Sequence, residues 1–290
     1  MEFFGKIIIS GLMNGSVYGL VAIGFVLIYK SSKLLSFCQG NMLLFGAYSF
    51  WGFMMITGGN VFLSFPLAMG AGYMIGSLIE RVTLRPLIGQ SILAMVLITI
   101  FLAQVLDGIV VLIWGSYPLH QIKIFPRASL AIGKMVVTTE VLYALGFAIV
   151  AMVGLMVFFR YTQIGLAMRG VAEGHQTMQA MGYSVKRILN ICWGIAGVVA
   201  TLGGILLAST LGFQLPLGLI GILAIPAAFI GGLESPGGAI LGGLMIGLVE
   251  SIISGYAGQA AGPPASFVIL ILVMLFKPEG FFGIKQIERV

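Results

Sequence analysis

Between Arg160 and Arg187 the chain gathers groups that could act on something outside a bilayer. Arg169, Glu173 and His175 lie within Gly165–Gly182, a stretch too polar to span one. Ile164, Met168, Val171, His175 and Met178 recur there at helical spacing, so one side of a short helix is mostly apolar. A loop that only joins two spans has no need of such a face, whereas one that docks a soluble partner does. The remaining candidates are polar residues inside apolar runs, where such groups commonly mark function. They are Asn14, Gln39, Asn41, Gln104, Asp107 and Glu250. Asn14, Gln39 and Asn41 fall around the first two runs beside a glycine-lined face. They have the better claim to line a polar path, with Gln104 a further candidate. Asp107 and Glu250 fall near the ends of their runs, where a structural partner or water suffices for a carboxylate.

Catalysis finds little support. No Gly-rich loop ending in Lys-Ser/Thr, no H-E-x-x-H and no nucleophile elbow is present. With two histidines and nine acids scattered over the chain, spacing offers no triad and no metal cluster. His120 and His175 read as loop residues, and Cys38 and Cys192 have neither metal-ligand nor redox spacing. An enzyme is not expected, and no cofactor or metal is assigned. Energy for any pumping must come from an ion gradient or another subunit.

The elements that must carry these residues are set by composition. The chain is 59% hydrophobic and 8% charged, against roughly 25% charged in soluble domains, and its mean hydropathy is +1.11. Only helices or closed barrels satisfy their backbone in lipid. Apolar runs of about 18 to 23 residues, rather than alternating segments of about 10, select helices. The expected fold is therefore all-α: one polytopic transmembrane bundle over residues 1–290 with about eight or nine spans.

The runs are Ile7–Tyr29, Met42–Ile56, Val61–Ile79, Ile92–Trp114, Val141–Phe159, Ile188–Ala208, Leu215–Gly232, Ala239–Ser254 and Ala265–Phe276. Three of these, Met42–Ile56, Ala239–Ser254 and Ala265–Phe276, are short of the ~20 residues of a full span. Broken or re-entrant helices are expected, especially in the pair joined by Gly231–Gly238. The first run is too long for a signal-peptide core and reads as retained. Gly11, Gly15 and Gly19 share a face, as do Gly238 with Gly242, Gly243 with Gly247, and Gly72 with Gly76. Such small-xxx-small rows let helices approach closely where lipid offers no hydrophobic drive.

Charge orients the bundle. Placing segment 160–187 in the cytoplasm puts Lys30, Lys33, Arg81, Arg85, Lys277, Lys285 and Arg289 there too. That makes eleven of the fifteen basic residues, as the positive-inside preference asks. The net charge of +6 then belongs to membrane edges, and no basic stripe with aromatics points to nucleic acid. Segment 115–138, with Pro118 and Pro126, is the longest external stretch. It either receives a soluble delivery protein or is a plain surface loop.

Six stretches stand out: Gly11–Leu20, Ser36-Phe-Cys-Gln-Gly-Asn41 with Leu44–Tyr48, Glu80-Arg-Val-Thr-Leu-Arg-Pro-Leu87, Gly165–Gly182, Gly231–Ala239 and Phe276–Gly283. Together they resemble the inner-membrane permease subunits of branched-chain amino acid ABC transporters. The resemblance implies a bacterial inner-membrane subunit paired with a homologous second permease. It also implies two ATPase subunits that bind the ATP, and a periplasmic solute-binding protein that delivers cargo. The ATPase contact falls on Arg169, Glu173 and Gly182, with His175 and Met178 alongside. Asn14, Gln39, Asn41 and Gln104 are the expected solute-path residues. The family pattern carries Asn and Glu where this chain has Ser36 and Asn41, which removes a negative charge. If that glutamate reads the solute's ammonium, the cargo here differs from a zwitterionic amino acid; the other reading is a purely structural motif that caps the second helix. Branched-chain or aliphatic amino acids remain the first expectation, with other small polar solutes open. The alternative is a gradient-driven secondary transporter or channel, with Asp107, Glu250 and broken helices around Gly231–Gly238 serving ion coupling.

Overall fold

The computed structural model describes residues 2–283 except 88, 89, 120, 121, 123, 127, 133 and 134. Eleven α-helices account for most of them: α1 Glu2–Ser32, α2 Gln39–Ile56, α3 Val61–Ile79, α4 Ile92–Trp114, α5 Thr139–Tyr161, α6 Gln163–Glu173, α7 His175–Ala180, α8 Val185–Leu211, α9 Leu217–Gly231, α10 Pro236–Ala257 and α11 Gly262–Phe276. A small antiparallel hairpin, β1 Ser129–Ile132 with β2 Met135–Thr138, pairs Ser129 with Thr138 outside the bundle. Seven helices are long and apolar enough to cross a membrane. The other two expected spans are α2, of 18 residues, and α9, of 15.

Helix boundaries follow local chemistry. Asn60, Ser91, Thr162 and Ser235 each accept a backbone N–H from the first turn of α3, α4, α6 and α10, which satisfies a donor that no intrahelical carbonyl reaches. Pro236 opens α10 at a position where its missing N–H costs nothing.

Burial separates an inner from an outer layer. The most apolar stretch is 89% buried in α1 and 78% in α8, against 17% in α5 and 11% in α11. The inner helices are held by the glycine rows. A Cβ on Gly15 would lie 2.8 Å from the Gly243 carbonyl oxygen, and one on Gly11 3.0 Å from Leu248 Cα, so α1 and α10 pack backbone to backbone. Gly72 and Gly76 fit α8 at Gly197 and Trp193, and Gly238 and Gly242 fit α9 at Gly231 and Ala227. Each sequence row thus has a matching groove.

The breaks fall in two of the runs expected to carry them, α2 and the first member of the pair joined by Gly231–Gly238, but not in α10. α10 is a full span of 22 residues, and the Gly231–Gly238 connection is a tight turn around Gly232 at φ +97°. The discontinuous helices are α2 and α9, which both start inside the molecule. Gln39, at the first position of α2, donates through Nε2 to the Ala196 carbonyl at 3.1 Å. Ala196 lies eleven residues into α8, about 16 Å along its axis at 1.5 Å per residue. The start of α9 meets the start of α2 where Gly40 packs against Gly218 and Gly221. The segment before α9 is held by a bridge from Leu119 to Phe213.

Basic groups gather at one end of the bundle. There Lys33 pairs with Glu234 at 2.7 Å, Phe281 N–H donates to Ile230, and Arg85 reaches the Lys186 carbonyl.

Candidate functional site

At mid-depth the two helix N-termini enclose a small polar junction. Asn41 Nδ2 donates to Asp107 Oδ1 of α4 at 2.7 Å. A Cβ on Gly218 of α9 would lie 3.6 Å from Asn41 Nδ2 and 3.8 Å from Asp107 Oδ1. Both Asn41 and Asp107 are half-buried, so their pairing borders the open side of the bundle. Gln39 is fully buried behind them, and its Oε1 has no hydrogen-bond partner. Its amide occupies the space that a side chain at Gly24 of α1 would need. The first-turn N–H groups of α2 have no carbonyl one turn back, and the positive end of the helix dipole lies there as well. The junction therefore offers a carboxylate, the Asn41 amide and a helix N-terminus within one small volume, with the Gln39 amide turned toward α1 and α8.

The far side of this junction is closed by aromatic rings. Tyr48 packs edge-on to Trp114 and Phe213 at 6.0 and 6.4 Å between centroids, and Phe45 packs on Trp114 at 6.2 Å. These rings come from α2, the end of α4 and the segment before α9.

The other candidates divide. Gln104 lies on α4 one turn before Asp107 and is exposed. Asn14 does not join the junction. It is ten residues from Gly24 on α1, about 15 Å of helix rise, in the stretch that packs on α10. Ser36, where the family pattern has Asn, is buried and lies 3.2 Å from Cys38 Sγ. Both cysteines are free and buried. Among the described residues no three His, Cys, Asp or Glu side chains come together as a metal site.

Segment 160–187 folds as two short helices rather than one, broken at Gly174. Part of its apolar stripe faces the chain's own bundle: Met168, Val171 and Met178 are 5%, 1% and 7% exposed, whereas Ile164 is 43% exposed. α6 packs on α1, α5 and α8, and Met178 fills the space over Gly170. The helical period was legible, and its buried members anchor the element to the bundle. Met178 is accordingly a packing residue. Arg169 donates through Nη2 to the Arg160 carbonyl at 3.2 Å, closing the end of α5. Gly182 takes φ +84° in the turn after α7, a backbone region that disfavours side chains. His175 begins α7, and His120 lies outside the described residues. What the element turns outward is Glu173, Thr177, Leu166, Met181 and Tyr183, around a groove of about 540 Å³.

One knot was not anticipated. Glu80 accepts from Arg85 Nε and Nη2 at 3.2 and 3.0 Å and from Asn190 Nδ2 at 2.7 Å, while Ser77 Oγ donates to Asn190 Oδ1. It ties the end of α3, through the π-helical turn Glu80–Leu84, to the start of α8. The Glu-Arg-x-x-x-Arg-Pro stretch stood out only as part of the family resemblance, and the acceptor's second partner lies 110 positions away.

A helical bundle with seven helices long and apolar enough to cross a membrane is a multi-pass membrane protein. The comparisons make the family plain. A family model described as the permease component of the branched-chain amino acid transport system matches residues 7–277, and the chain belongs to that family. It is 29% identical over 310 residues to the high-affinity branched-chain amino acid transport system permease protein LivH of Escherichia coli K12, covering 99% of this chain and 98% of that one. It is 28% identical to BraD of Pseudomonas aeruginosa, described in the same terms, over 98% of this chain and 97% of the relative. The solved structure of PsaBC from Streptococcus pneumoniae in complex with Fab shares the fold at TM-score 0.54 and 15% identity, covering 97% and 94% of the two chains.

Proposed function

We propose that this chain is the membrane-spanning subunit of an ATP-driven importer for branched-chain or other aliphatic amino acids. It would act beside a homologous second permease, two ATPase subunits that bind the ATP, and a periplasmic solute-binding protein, in a bacterial inner membrane. The observation that carries this reading is the family match over residues 7–277, with relatives matched nearly end to end and named for that transport. It does not favour the gradient-driven alternative.

The positive-inside preference puts the basic end in the cytoplasm. The outward face of α6 and α7 at that end is then the surface offered to an ATPase, with Glu173 and the groove beside it as the contact. Force applied there passes through Met168 and Val171 into α1, α5 and α8. A ligand on the ATPases drives this only if it binds the two permease states unequally.

Asp107 answers the expectation raised by Asn41. The carboxylate missing from position 41 is supplied from α4, 2.7 Å from the Asn41 amide. An amino acid can place its ammonium against Asp107 and its carboxylate at the N-terminus of α2, a use of discontinuous helices suited to zwitterions. Competition for uptake in the assembled importer tests this. Leucine should compete well and 4-methylpentanoate, which lacks the ammonium, poorly; Asp107→Asn should shrink that difference. Equal competition by both in the wild-type importer would rule out recognition of the ammonium.

A further inference from the structure

A second cavity, of about 200 Å³, lies at the basic end between α1, α5, α6, α8 and the start of α10. Its inner walls are apolar, built chiefly from Val26, Leu27, Phe159 and Met168, while Lys30, Arg160 and Arg169 stand around it. Arg169 is fixed by its bond to the Arg160 carbonyl, yet its Nε is buried with no hydrogen-bond partner. The N-terminus of α10, at Pro236 and Gly237, adds its positive dipole end to the same cavity. The acids within electrostatic reach of Lys30 are Glu173 and Glu234, and Glu234 is already paired with Lys33. Among the described residues, no Asp or Glu lines the cavity beside Lys30, Arg160 and Arg169, so it is short of negative charge.

The shape says where that charge comes from. Met156 lines the cavity and is also 42% exposed on the outer surface of α5, so the apolar wall runs on to the face that meets lipid. We propose that this cavity binds an anionic phospholipid of the basic-end leaflet. Its headgroup phosphate sits among Lys30, Arg160 and Arg169, and an acyl chain passes beside Met156. Basic pockets between transmembrane helices suit such headgroups, and a guanidinium with a free donor suits a phosphate oxygen. The lipid would tie α6 to α1 and α5, at the base of the element that carries Glu173.

Melting of the full-length chain in detergent, titrated with phosphatidylglycerol or with phosphatidylcholine of the same acyl chains, tests the site. Phosphatidylglycerol should stabilise and phosphatidylcholine should not. The K30Q/R160Q double variant should weaken the phosphatidylglycerol response about 10- to 30-fold, at about 1 kcal/mol per basic residue. Met156→Trp, which obstructs the opening and keeps every charge, should weaken it as well, and decides the matter if the double variant does not fold. Lys277→Gln, at the same end but outside the cavity, should leave it unchanged. The proposal fails if both lipids stabilise alike, if Met156→Trp has no effect, or if Lys277→Gln weakens the response as much as the double variant. It fails equally if inorganic phosphate or leucine without lipid reproduces the stabilisation, since the site would then serve a soluble anion.

Discussion

Asp107 and Glu250 are both carboxylates inside membrane helices, and each accepts a hydrogen bond from a neighbouring helix, but their settings differ. Glu250 is 8% exposed, takes the Tyr18 hydroxyl at 3.1 Å, and has its second oxygen buried without a hydrogen-bond partner. It sits where the α1–α10 glycine seam meets α11, with Gly262 packed against it. Asp107 is half-buried and faces two helix N-termini across a junction lined by Gly40, Gly218 and Gly221. In the seam, glycines bring backbones together and leave no room for a ligand. At the junction glycines also bring backbones together, Gly40 of α2 against Gly218 and Gly221 of α9, but the Gly218 face toward Asn41 and Asp107 keeps ordinary van der Waals room beside polar groups. The seam packs helices together, and the junction is where we propose that solute binds, so two membrane carboxylates are given different work.

The largest effect should come from filling the seam. Gly15→Leu forces a side chain into the Gly243 and Leu244 backbone and should cost about 3 kcal/mol. The folded protein recovered by size-exclusion chromatography should fall sharply. Gly70→Leu, which meets open space on α3, is the matched control and should accumulate normally. Next, Asp107→Asn in the assembled importer should lower amino acid uptake about 10- to 100-fold, the equivalent of a charge-assisted hydrogen bond of about 1.5–3 kcal/mol. Its melting temperature should stay close to wild type. A large loss of stability with unaltered uptake would instead make Asp107 a second Glu250.

Tyr18→Phe sharpens the contrast from the other side. It strips Glu250 of its hydroxyl donor and should destabilise by about 1–2 kcal/mol, read as a lower melting temperature. Uptake per folded molecule should barely move. Smallest of all, Lys33→Ala removes an ion pair whose lysine side chain is 49% exposed. The change in melting should correspond to less than about 1 kcal/mol.

Much of this architecture was readable from residue spacing. The nine apolar runs all became helices, and the glycine rows found partners, because a period of four in a membrane helix has few uses besides close packing. Depth was harder to read. Hydropathy assigns Gln39 and Asn41 to the mouth of a span, and only the Ala196 carbonyl of α8 shows that α2 begins well inside the bundle. The pairing of Asn41 with Asp107 spans 66 positions and carries no local signal. In α6 the periodicity gave the correct apolar face, but period cannot say what covers it, and here the bundle covers part of it. Asn14 was grouped with Gln39 by order along the chain, whereas the rise of α1 keeps them apart.

The central claim is that this subunit forms a conduit worked from its basic end by nucleotide hydrolysis elsewhere. Uptake of radiolabelled leucine into proteoliposomes, with the solute-binding protein outside and ATP inside, tests it most directly. The assembled importer should concentrate leucine only with hydrolysable ATP, and Val171→Pro in α6 should abolish that uptake while the protein still inserts. Accumulation by the isolated chain under an ion gradient, without ATPase subunits, would contradict the account.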